Sequence, residues 1–267
     1  MKEKLAVQMY TLRDFTKTKK DFGDSLEKVS AMGYPAVQLS GIGCMNGDNP
    51  EVTAEEAKKM LDDNGLKCIA THRGFPQLEN DIQKEIDFHK ALDCDYVAIG
   101  ALPYDWEKPL GLDEMKEFLD KAKPVVSALN DADLRFGYHN HSFEFKTTGK
   151  GKETIYEYMI ENTSPEFTFE MDLYWVWNAG FHPSELLSRL SNRVPVVHVK
   201  DMAVFEKEST FAAIGEGNMP WDQIIRACDA AGTEWYAVEQ DTCDRDPFDC
   251  VKSSFEYLSN LNVLASV

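Results

Sequence analysis

Short strand-like apolar runs recur along the chain at intervals of roughly 30 to 40 residues, the length of one strand–helix unit. They fall at 5–10, 36–39, 67–71, 96–99, 134–139, 167–171, 195–199 and 235–239. Helical patterns fill the intervals, at 24–32, from Thr53 to Asn64, and at 81–92, 113–130, 152–161, 184–190, 221–231 and 247–258. The second of these opens as Thr53-Ala54-Glu55-Glu56, a capping-box signature, and stops at Asn64-Gly65. Eight strands thus alternate with eight helices, and no Gly/Ser linker or low-complexity tract divides them. This pattern predicts a single α/β domain over residues 1–267, a closed (β/α)8 barrel. An open doubly wound sheet is the main alternative, but it usually carries a Gly-rich turn after its first strand, where this chain has Tyr10-Thr11-Leu12-Arg13.

Period-2 alternation assigns each strand an outer and an inner face. Leu5, Val7 and Met9 read as outward, with Gln8 and Tyr10 inward. Val37 and Leu39 face out and Gln38 in; Ile69 faces out and His72 in. Leu134, Phe136 and Tyr138 form an apolar face, which turns Gly137, His139 and His141 inward. Phe167, Phe169 and Met171 likewise leave Glu170 and Asp172 inward; Val197 and Val199 leave His198 and Lys200; Tyr236 and Val238 leave Glu239. The polar inward residues gather at C-terminal strand ends, where barrel active sites form.

The chain carries 46 acidic and 28 basic residues, a formal charge of −18. Such a surface repels nucleic-acid phosphates and anionic lipid, so neither is an expected partner. No window approaches the roughly 18 apolar residues of a membrane span. Met1-Lys2-Glu3-Lys4 leads straight into a short strand, which does not resemble a signal peptide. The six cysteines are widely spaced, without a Cys-x-x-Cys pair, as in a reducing cytoplasm. Homo-oligomerisation is left open.

Glu144, Asp172, His198 and Glu239 come from four successive strands or the loops after them. Three carboxylates and one imidazole make an oxygen-rich set suited to Mn²⁺, Mg²⁺, Co²⁺ or Zn²⁺. A metal there would polarise a substrate carbonyl and stabilise the enediolate left when the neighbouring carbon loses a proton. Each residue also has a plainer reading. Lys200 would neutralise Asp172 or Glu239, His72 would be a hydrogen-bonded rim residue, and Trp175, with Tyr174 and Trp177, would pack under a loop rather than stack on a sugar. Gly215-Glu216-Gly217-Asn218 precedes a helix as a phosphate cradle does, but Glu216 within it favours a tight turn.

The chain resembles the sugar phosphate isomerase/epimerase family, the xylose isomerase-like TIM barrels. The resemblance is carried by Val7-Gln8-Met9-Tyr10-Thr11-Leu12-Arg13-Asp14, Gly33-Tyr34, Tyr138-His139-Asn140-His141 with Glu144-Phe145, Met171-Asp172-Leu173-Tyr174-Trp175, His198-Val199-Lys200-Asp201, Gly215-Glu216-Gly217 and Val238-Glu239-Gln240-Asp241. It implies a divalent metal held by Glu, Asp, His and Glu. Asp172, His198 and Glu239 match the last three. Many members place the first Glu where this chain has His139, so the resemblance assigns the role to Glu144, just downstream. His141 becomes the base, His139 a substitute ligand or substrate contact, and Lys200 a further catalytic group. Gln8, Tyr10, Gln38, His72 and Trp175 are the expected substrate contacts, although many relatives carry Glu at the position of Gln38. With few inward cations, the expected substrate is a small, unphosphorylated carbohydrate or keto-sugar. The expected reaction is isomerisation or epimerisation. The alternatives are a lyase or dehydratase on the same site, an endonuclease of the apurinic-site type and a non-catalytic sugar binder.

Overall fold

The computed structural model describes residues 1–102, 110–149 and 151–261. Eight parallel strands close into a barrel. In chain order the strands are β1 (Leu5–Gln8), β2 (Ala36–Leu39), β3 (Lys67–Arg73), β4 (Tyr96–Ile99), β5 (Arg135–His139), β6 (Phe167–Asp172), β7 (Val196–Val199), then an antiparallel hairpin of β8 (Asp201–Phe205) and β9 (Glu208–Ala212), and β10 (Trp235–Val238). The barrel runs β1-β10-β7-β6-β5-β4-β3-β2, with the hairpin outside it. The helices are α1 (Lys19–Ala31), α2 (Ala54–Asp63), α3 (Phe75–Asn80), α4 (Ile82–Leu92), α5 (Leu112–Asp131), α6 (Ile155–Glu161), α7 (Leu173–Asn178), α8 (Pro183–Arg189), α9 (Trp221–Ala231) and α10 (Pro247–Asn260). Thr53 and Glu56 form the expected capping box, and Gly65 takes the left-handed φ of 65° that ends α2. Among the described residues, no helix is long and apolar enough to cross a membrane.

Two apolar layers follow from the alternation. Leu5, Val7, Val37, Phe136, Tyr138, Phe169, Val199 and Tyr236 pack outward with the helices. Inside, Ala6, Ala36, Ala70, Ala98, Val196 and Ala237 leave space that Tyr96 fills. Its hydroxyl lies 3.0 Å from Thr168 Oγ1. Gly137 makes room for it, because a Cβ there would stand 2.4 Å from that hydroxyl. Ile69 departs from expectation and joins the inner layer. The β2–β3 register shifts between Val37 and Gln38, so the simple alternation fails over that bulge.

The hairpin was not expected from the sequence. Asp201 at its base is fully buried. Its carboxylate accepts the backbone N–H groups of Met202, Gly215, Gly217 and Met219 and the Trp221 indole N–H. The Gly215–Gly217 turn is therefore filled by the protein's own anion, which takes the backbone donors a phosphate cradle would offer.

Candidate active site

Polar side chains converge above the Tyr96 floor, each set by its strand. Asp172 ends β6 and caps α7: Oδ1 accepts from Trp175 N at 3.0 Å, leaving Oδ2 for the barrel. Asn140 pins the same strand end by accepting from Asp172 N at 3.0 Å. His198, from β7, places Nδ1 2.8 Å from Glu239 Oε2 and 3.8 Å from Asp172 Oδ2. All three side chains are almost fully buried. The three atoms lie within 4.8 Å of one another. Two buried carboxylates this close together are costly unless a cation is shared between them. One imidazole nitrogen and two carboxylate oxygens on three strands fit a divalent ion.

Lys200 supplies the local positive charge. Its Nζ lies 2.8 Å from Asp172 Oδ2, 2.8 Å from Glu239 Oε2 and 2.9 Å from Asp241 Oδ2. Burial alone would lower its pKa, but these carboxylates hold it well above the usual lysine value. Burial raises Asp172 to about 6 against the pull of Lys200 and His198. Burial also opposes ionisation of Glu239, but Lys200 and His198 outweigh it and keep the group ionised. Burial would lower His198, yet Glu170 and Glu239 raise it to about 10.

A second buried group shares His198. It comprises His72, His139, Glu170 and His198. Glu170 Oε1 accepts from Gln38 Nε2 at 2.9 Å, and Oε2 makes a short contact with His72 Nε2. His139 Nδ1 lies 3.6 Å from Glu170 Oε2, and its Nε2 lies 3.8 Å from Asp172 Oδ2. Burial, followed by the charge of His198, holds His139 neutral, well below the usual histidine range. Burial and Lys200 lower His141 to about 4, so it too is neutral at pH 7.

Glu144 does not stand where a ligand was expected. It lies in the tight helical turn Phe143–Phe145, fully buried. Oε1 accepts from the Tyr138 hydroxyl at 2.8 Å and Oε2 from His141 N at 2.9 Å. The turn folds the carboxylate back under its own strand, where burial raises its pKa to about 8. It belongs to neither group of candidate ligands.

A cavity of about 310 Å³ opens over the site, lined by Gln8, Tyr10, His72, His139, His141, Lys200, Glu239 and Asp241, among others. A larger one, about 450 Å³, lies against α5 and α6 beside Leu119 and Phe167, away from these groups. Of the expected substrate contacts, Gln8, Tyr10 and His72 line the smaller cavity, whereas Gln38 is buried beneath it. Trp175 stands behind His141, ring centroids 5.8 Å apart, and is not among the lining residues. Sequence reasoning did not select Glu170, Asn140 or Asp241. Strand parity had turned Glu170 inward; Asn140 between two histidines and Asp241 two residues past Glu239 offered no signal of their own.

The model of the xylose isomerase-like TIM barrel matches residues 26–261. The chain belongs to this family. Among curated proteins, no sequence matches it. Two solved structures of sugar phosphate isomerase/epimerases from Parabacteroides distasonis are similar over nearly the whole chain. One is 26% identical, with a TM-score of 0.80, over 98% of this chain and 100% of its own. The other is 24% identical, with a TM-score of 0.82, over 99% and 96%. A structure described as the probable 3-DHS dehydratase of Bacillus anthracis shares the fold at 15% identity and a TM-score of 0.74, over 97% of this chain and all of its own. For this xylose isomerase-like barrel, family and architecture agree with the expectation from the motifs.

Proposed function

We propose that the chain is a divalent-metal-dependent isomerase or epimerase of a small, unphosphorylated carbohydrate. The observation that carries this reading is the convergence of Asp172 Oδ2, His198 Nδ1 and Glu239 Oε2, buried and within 4.8 Å of one another, beside a cavity of sugar size. These three would hold the ion, with His139 rather than Glu144 nearest as a fourth donor. When bound, it would polarise a substrate carbonyl and make the adjacent C–H acidic. His141, neutral and on the cavity wall, accepts that proton. Gln8 orients a substrate oxygen: its Oε1 is taken by Tyr10 N, while its buried Nε2 has no partner. Return of the proton to the neighbouring carbon isomerises; return to the same carbon on its opposite face epimerises.

The cavity chemistry favours a substrate without phosphate. Among the described residues, Lys200 is the only Lys or Arg lining it, and three carboxylates already occupy its ammonium. A lyase or dehydratase is the second reading. It is favoured by two neutral imidazoles, His139 and His141, with ring centroids 5.0 Å apart, one to take a proton and one to protonate a leaving group.

The test is a panel of aldoses, ketoses and keto-sugars in D₂O, followed by NMR. The expected result is deuterium entering the carbon next to the carbonyl, stopped by EDTA and restored by Mn²⁺ or Co²⁺. Loss of water or of an aglycone would move the assignment to the lyase. A protein that takes up no divalent ion on reloading would refute the metal-dependent reading.

A further inference from the structure

Both candidate ligand groups need His198, and they approach opposite nitrogens of its ring. We propose that Gln38 decides between them by holding the His198 proton on Nε2, so that Nδ1 alone can bind a metal ion. The inference rests on the metal-dependent reading above and adds the residue that selects the ligating atom.

The Gln38 amide has only one workable orientation. Its Nε2 lies 2.9 Å from Glu170 Oε1, and its Oε1 lies 2.9 Å from His198 Nε2. Turning the amide over would set its oxygen against a carboxylate oxygen, two acceptors facing each other. Glu170 is itself fixed by His72 on its other oxygen, and Ser40 Oγ lies 3.3 Å from His72 Nδ1. Gln38 and Glu170 are fully buried, so water cannot replace a lost partner. Because Gln38 Oε1 can only accept, His198 Nε2 must donate and carries a proton. That nitrogen then has no lone pair for an ion at His72, His139 and Glu170, although it lies 3.2 Å from Glu170 Oε2. Nδ1 points to Asp172 and Glu239. Glu170, with Gln38 and His72, is thereby a hydrogen-bonded support, and Asp172, His198 and Glu239 form the metal site. Gln38 acts as a positioning residue and does not touch substrate.

The experiment is a long-range ¹H–¹⁵N correlation of the His198 ring in the full-length chain, metal-free and zinc-loaded, with zinc affinity measured by chelator competition. Wild type should show protonated Nε2 in both states and a zinc-shifted Nδ1 in the loaded one. Gln38→Met should weaken zinc binding about 10- to 100-fold, the usual effect of removing a partner that orients a metal-bound histidine. Gln38→Glu combined with Glu170→Gln keeps an acceptor against Nε2 and a donor–acceptor contact between the two side chains, and should restore most of the affinity. Thermal melts check that each variant is folded, and the wild-type spectra need no variant. Zinc on Nε2, an unprotonated Nε2 in the metal-free chain, or wild-type affinity with unchanged Nδ1 ligation in Gln38→Met would each overturn the proposal. If wild type binds no zinc, the metal-dependent reading fails separately, and the metal-free spectrum, followed to the alkaline pH at which the ring loses one proton, still shows which nitrogen keeps it.

Discussion

Replacing Lys200 with Met is the most direct test of how charge is balanced in this barrel. Lys200 is 1% exposed, and its ammonium touches three carboxylates at 2.8 to 2.9 Å. Methionine preserves much of the volume and removes the charge. Asp172, Glu239 and Asp241 would then face one another with His198 as the remaining nearby cation. Removing one partner of a buried ion pair costs roughly 3–5 kcal/mol, because the other charge is stranded. For a chain of this size each kcal/mol moves the midpoint by about 2–4 °C, so Tm in EDTA should fall by on the order of 10 °C. Without the competing ammonium, Asp172 and Glu239 should bind a divalent ion more tightly than in wild type. Saturation to 100 times Kd returns about 2.7 kcal/mol. Calorimetric melts in EDTA and over a MnCl₂ series would measure both effects. A variant as stable as wild type in EDTA, or one gaining no more from Mn²⁺ than wild type does, would refute the reasoning.

Other outcomes follow from the same geometry. Asp172→Ala should lose bound metal and turnover while the barrel stays folded, whereas His141→Ala should keep the metal and lose turnover; metal analysis beside circular dichroism separates them. Glu144→Gln should retain stoichiometric metal, since the carboxylate serves Tyr138 and the His141 backbone; metal loss there would restore Glu144 as a ligand. His89 is buried between Glu85 O, which its Nδ1–H meets at 2.6 Å, and Thr71 Oγ1, 2.6 Å from Nε2. Burial lowers its pKa to about 4 from the ordinary 6.5. A depressed histidine favours the fold fully above pH 6.5 and loses that contribution as pH falls towards 4, by about 3 kcal/mol. The stability gap between wild type and His89→Gln, followed by urea unfolding, should therefore narrow over that window; a constant gap would count against it.

Strand period, the capping box at Thr53 and the chemistry of inward residues were legible from the chain alone, because each depends on neighbours a few residues apart. They determined the (β/α)8 barrel and the inward aim of Asp172, His198, Lys200 and Glu239. Other features needed tertiary structure. Ile69 turned inward because a bulge interrupts the β2–β3 register. Glu144 left the expected site because a tight turn folded it onto Tyr138, which strand parity cannot foresee. The cradle-like glycines proved to enclose Asp201. Gln38 meets Glu170 and His198 across 132 and 160 residues of sequence. Side-chain direction is a local property of the backbone and can be read along the chain. Which partner meets each side chain, and on which atom, is decided only when the closed barrel brings distant strands together.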